Sequence, residues 1–153
     1  MMDRSAPDQY RPLTIIAAGL LVSVVFYAIL VEALLRLAVL RPPFRGNQTL
    51  GVVALAASVP PLIVAAVVRR RLSSAGGQSP PVVATSCVIS WALAEVPAIL
   101  GLVAFLLTGL REAAYGPIAF SLVAHALLFP RRPQWEAWTR PSSGTPAPSP
   151  SSG

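Results

Sequence analysis

The sequence has no lysine, one cysteine (Cys87), one histidine (His125) and only six acidic residues among 153. A lone cysteine excludes an intramolecular disulfide and a thiolate metal cluster. One histidine without such a cluster argues against a zinc site. Also missing are a Ser-His-Asp spacing, an HExxH motif, paired catalytic aspartates and a glycine-rich phosphate loop. No enzyme activity, cofactor or metal is therefore expected. Charge of either sign is scarce: 12% of residues are charged against 54% hydrophobic, too little polar surface to wrap several apolar segments as a water-soluble domain. All twelve basic residues are arginine, and the net charge of +6 falls in short clusters at segment ends. Headgroups or topology signals account for such clusters, and no nucleic-acid partner is expected.

What is present is a set of long apolar runs. At about 1.5 Å per residue, residues 82–110 are long enough to cross a hydrocarbon core roughly 30 Å thick. Three more runs, 13–40, 49–68 and 113–129, complete an expected all-α, integral membrane four-helix bundle. The first is too long, and lacks the small-residue cleavage site, for an ordinary signal peptide, so it reads as an uncleaved span. The expected organisation is a membrane domain over residues 1–140, ending in an interfacial anchor where Trp135 and Trp138 sit between arginines. Residues 141–153, rich in Pro and Ser, are expected to be a disordered tail. Arg4, Arg11, Arg69, Arg70, Arg71, Arg131, Arg132 and Arg140 fall on one side, against Arg41, Arg45 and Arg111 on the other. The positive-inside tendency then places both termini in the cytoplasm of a multi-pass cell-membrane protein.

Glu95 lies near the middle of the third run. An ionised side chain at that depth costs roughly 2.5 to 3.5 kcal/mol, so such residues face protein or water and are often functional. Written in sevens, the same run gives a stripe of compact residues at Cys87, Ser90, Ala94, Pro97, Gly101, Ala104 and Thr108. Stripes of this kind let a second backbone come close in lipid. Through Cys87, Ser90, Ala94, Gly101 and Ala104 the chain is expected to meet another copy or a membrane-protein partner. Pro97 lacks an amide hydrogen and frees the carbonyl of Leu93, which reads either as a kink or as a ligand near Glu95.

Residues 92–105, Ala92-Leu93-Ala94-Glu95-Val96-Pro97-Ala98-Ile99-Leu100-Gly101-Leu102-Val103-Ala104-Phe105, resemble the carboxylate-bearing helix of the proteolipid c subunit of rotary ATP synthases and ATPases. In that family the acid binds a proton or a sodium ion. The resemblance implies that Glu95 is the carrier, with Ala94, Pro97 and Ala98 lining it. The preceding run carries Pro60 and Pro61 where that family has alternate-spaced glycines.

Secondary polar positions complete the reading. Glu32 and Arg36, one turn apart, are expected to pair along the first helix, with a second ion-binding acid as the other reading of Glu32. Gly19, Ser23 and Tyr27 recur every four residues as a packing stripe. Pro60 and Pro61 break the second span near its middle, and Ser58 can satisfy part of the freed backbone. His125, one turn from Ser121, is either a proton relay toward Glu95 or a histidine hydrogen-bonded to a neighbouring helix. Two functions follow: an ion-handling membrane protein working through Glu95, or a non-catalytic scaffold or assembly subunit in which Glu95 specifies helix pairing.

Overall fold

A computed structural model of the chain describes residues 6–37, 42–74, 78–129 and 131–139, and all regular structure among these is helical. The tail at 141–153 lies outside the described residues, as do Arg4, Arg41 and Arg140. The helices are α1 (Ala6–Leu37), α2 (Gln48–Ala57), α3 (Val59–Ser74), α4 (Pro80–Thr108), α5 (Arg111–Leu128) and α6 (Arg132–Thr139). Three segments are long and apolar enough to cross a membrane: Tyr10–Leu37, Gln48–Ser74 and Pro80–Thr108. The fourth expected span meets that standard only when α5 is taken together with α6. At 18 residues, α5 measures about 27 Å.

α4 is the hub, packed against α1, α2, α3 and α5. All seven residues of its compact stripe are buried. A Cβ built on Gly101 would lie 2.8 Å from the Ala114 carbonyl oxygen and 3.0 Å from Pro117 Cβ. The stripe thus serves close packing inside the chain, and Cys87, Ser90, Ala94, Gly101 and Ala104 are covered by the chain's own helices.

The outside of the bundle is the inverse of the inside. Ile15, Val22, Phe26, Ile63, Ile99 and Val123 point outward, while alanine, glycine, serine and cysteine occupy much of the interior. Van der Waals contact between small residues holds such helices together where the surroundings are as apolar as the side chains.

Several boundaries differ from the sequence expectation. α1 begins at Ala6 and runs through Pro12. Tyr10 packs on Trp135 with ring centroids 6.4 Å apart, and Leu13 is buried in the same cluster, which holds the early turns in place. α3 continues past Val68 to Ser74 because Leu72 is buried and the Ser73 and Ser74 hydroxyls bond back to the Arg69 and Arg70 carbonyls. Arg69, Arg70 and Arg71 are therefore helical, beyond the end of the expected second run.

The proline break is confined to Ser58. Pro60 and Pro61 fall in the first turn of α3, where missing amides cost little. Buried Ser58 returns its hydroxyl to the Ala54 carbonyl at 2.7 Å. At the far end α4 stops at Gly109, whose φ of +70° suits glycine. The 42–47 loop folds over that end, with Phe44 N–H on the Leu107 carbonyl and Gly46 N–H on that of Thr108.

α6 packs inward through its two tryptophans. Trp135 and Trp138 are buried with Leu13, Leu72, Val83 and Trp91. The indole of Trp91 donates to the Leu128 carbonyl at 2.9 Å, and Gln78 N–H donates to the Trp138 carbonyl. One end of the bundle is thereby closed by aromatic rings, of which Trp91 sets its polar edge on the end of α5.

Candidate functional site

Glu95 is near the centre of α4 and half-buried, on the edge of the helix that meets α1. Its carboxyl turns sideways onto α1. The Tyr27 hydroxyl donates to Glu95 Oε1 at 2.9 Å, and Ser23 Oγ lies 2.5 Å from the same oxygen. Ser23 Oγ is also 2.7 Å from the Leu20 carbonyl oxygen, one turn back.

Proton counting constrains this group. A serine hydroxyl has one proton to give, and the Leu20 carbonyl can only accept. The Ser23 hydroxyl therefore divides its one proton between the Glu95 carboxyl and the Leu20 carbonyl, while the Tyr27 hydroxyl donates to the same carboxyl oxygen. Among the described residues no arginine or histidine forms an ion pair with Glu95.

The residues expected to line the acid divide. Ala98 joins Val24 and Val31 of α1 in one cluster beside the carboxyl. Ala94 and Pro97 are buried. The hydroxyl that α5 brings to this turn, Ser121 Oγ, takes the carbonyl of Ala94 at 2.7 Å. Ser23 and Tyr27 were legible in the sequence as a stripe, but as packing residues rather than as partners of the acid. Gly19 takes no part: it is exposed, and a Cβ there would meet nothing within 4 Å.

His125 is 3% exposed, with Nδ1 2.9 Å from the Ser121 carbonyl oxygen and 3.5 Å from Ser121 Oγ. A carbonyl can only accept, so Nδ1 carries a proton, and Nε2 is buried with no partner among the described residues. No hydrogen bond joins His125 to Glu95. Ser121 reaches the Ala94 turn of α4 from α5, whereas the hydroxyls on Glu95 come from α1.

Glu32 does not pair with Arg36. It accepts from the Tyr115 hydroxyl and lies 3.7 Å from Arg111 Nη2, both on α5, while Arg36 is exposed. Packing of α1 on α5 offers two partners at once, which outweighs a single-helix pair worth only a few tenths of a kcal/mol. The ion pair remains 56% and 37% exposed on its two sides, so Arg111→Gln is expected to lower stability by less than about 1 kcal/mol in a detergent unfolding titration.

A cluster that the sequence did not announce lies at the α6 end. Arg69 Nη1 donates to Cys87 Sγ at 3.2 Å and Nη2 to Gln134 Oε1 at 3.4 Å, while its guanidinium carbon sits 4.4 Å from the Trp138 ring centroid. One arginine thus ties α3, α4 and α6 together through a hydrogen-bond fork and a cation–π contact. In the sequence it reads only as part of a basic cluster.

Comparison of the chain with family models, with curated proteins and with solved structures gives no match.

Proposed function

We infer that this chain is a four-span membrane bundle in which Glu95 takes up and releases a proton. The observation that carries the reading is a mid-bundle acid held by two α1 hydroxyls on one carboxyl oxygen, with no ion-pair partner among the described residues. The likeness of residues 92–105 to the proteolipid c-subunit helix supports a carrier acid at this position. The apolar exterior supports the bilayer, since a water-soluble monomer rarely exposes so much contiguous apolar surface. Arginines gathered at the α3 and α6 end favour that end as cytoplasmic, with both termini there and the chain in the cell membrane.

A second reading, a scaffold or assembly subunit, draws on the same geometry: two hydroxyls on one carboxyl also fix the register of α1 on α4. Labelling purified protein with a hydrophobic carbodiimide over a range of pH separates the two. A proton carrier is modified at Glu95 and the modification fades as pH rises, because the reagent needs the protonated acid. Inertness at every pH, together with normal assembly of Glu95→Gln, leaves the scaffold.

A further inference from the structure

Where α1 ends and α5 begins, a groove of about 490 Å³ follows α1 over Ala28, Ile29 and Ala33 and is headed by Glu32, Arg36 and Tyr115. Glu32 is occupied by Tyr115 and Arg111. Arg36 is exposed and forms no ion pair among the described residues, so with Glu32 matched by Arg111 the head of the groove carries one net positive charge above an apolar floor. Depth agrees with that polarity. Arg36 lies about 14 Å along the axis from Tyr27, the mid-bundle partner of Glu95, which is close to half the thickness of a hydrocarbon core. The guanidinium then stands at headgroup level and the floor at acyl level.

We propose that this groove binds one anionic phospholipid, its phosphate on Arg36 and an acyl chain along Ala28, Ile29 and Ala33. A guanidinium fork matches two phosphate oxygens, and the apolar floor supplies contact for the chain. The site rests on the bilayer placement of the bundle and is independent of proton exchange at Glu95.

Native mass spectrometry of the full chain from micelles holding equal phosphatidylglycerol and phosphatidylcholine tests it. One phosphatidylglycerol is retained per chain in preference to phosphatidylcholine. Arg36→Gln lowers that retention several-fold, and so does Ala33→Phe, which fills the groove and leaves the arginine in place. Arg71→Gln, at the opposite end, and Glu95→Gln leave it unchanged. Equal retention of the two lipids, equal loss from Arg71→Gln, undiminished binding to Ala33→Phe, or a second copy of the chain in place of lipid would each overturn the site. Recovery of the chain from cells without detergent would count instead against the bilayer placement.

Discussion

Gly101→Val is expected to destabilise the bundle by about 3 kcal/mol, the upper part of the range for overpacked cores. The atoms a new side chain would meet are a backbone carbonyl and a proline ring, at 2.8 and 3.0 Å from the Cβ position, and neither can swing aside. α4 and α5 would have to move apart along the interface that buries Ala94, Ala104 and Ala114. Alanine tests the same contact more gently. It recovers up to about 1 kcal/mol of helix propensity over glycine, so Gly101→Ala should fall between the parent and the valine variant. Reversible unfolding in mixed micelles reads the series, and a valine variant as stable as the parent would refute the close approach.

Removing both hydroxyls that hold the acid, in Ser23→Ala with Tyr27→Phe, is expected to cost about 2 kcal/mol. Each loss deprives the carboxyl of a hydrogen-bond partner, at roughly 1 to 3 kcal/mol for a buried group, and half-burial puts Glu95 toward the lower value. Glu95→Gln behaves differently, since an amide oxygen in the place of Oε1 still accepts from both Tyr27 and Ser23. Its stability should stay within about 1 kcal/mol of the parent, while carbodiimide labelling at this position disappears. A scan comparing the double variant with Glu95→Gln therefore separates the acid as a structural acceptor from the acid as an exchanging group. Equal destabilisation by the two would contradict the hydrogen-bond assignment.

The interior of α4 was legible because period and residue size agree: compact residues recurring along one face of an apolar helix can be buried only against a neighbour, and all seven are. Glu95 stood out because a single acid in such a run needs shelter. Its partners were half visible. Ser23 and Tyr27 share the helical face of Gly19, but spacing cannot say where along that face another helix crosses, and the crossing leaves Gly19 exposed. Glu32 illustrates the other limit. Arg36 is its neighbour on one helix, whereas Arg111 lies 79 residues further along and reaches it only through the packing of α5 on α1. The α6 end was illegible for the same reason. Trp135 and Trp138 between arginines have the composition of a headgroup anchor, and only the fold shows them packed on Leu13 and Trp91.

The direct measurement is infrared difference spectroscopy of the protein in lipid bilayers, following the carboxylic acid carbonyl band between acidic and alkaline buffer. Proton exchange at the mid-bundle acid requires one such band that vanishes reversibly as pH rises, shifts in frequency in Tyr27→Phe, and is missing from Glu95→Gln. A spectrum in which Glu95→Gln removes no carboxylic acid band at any pH would contradict it.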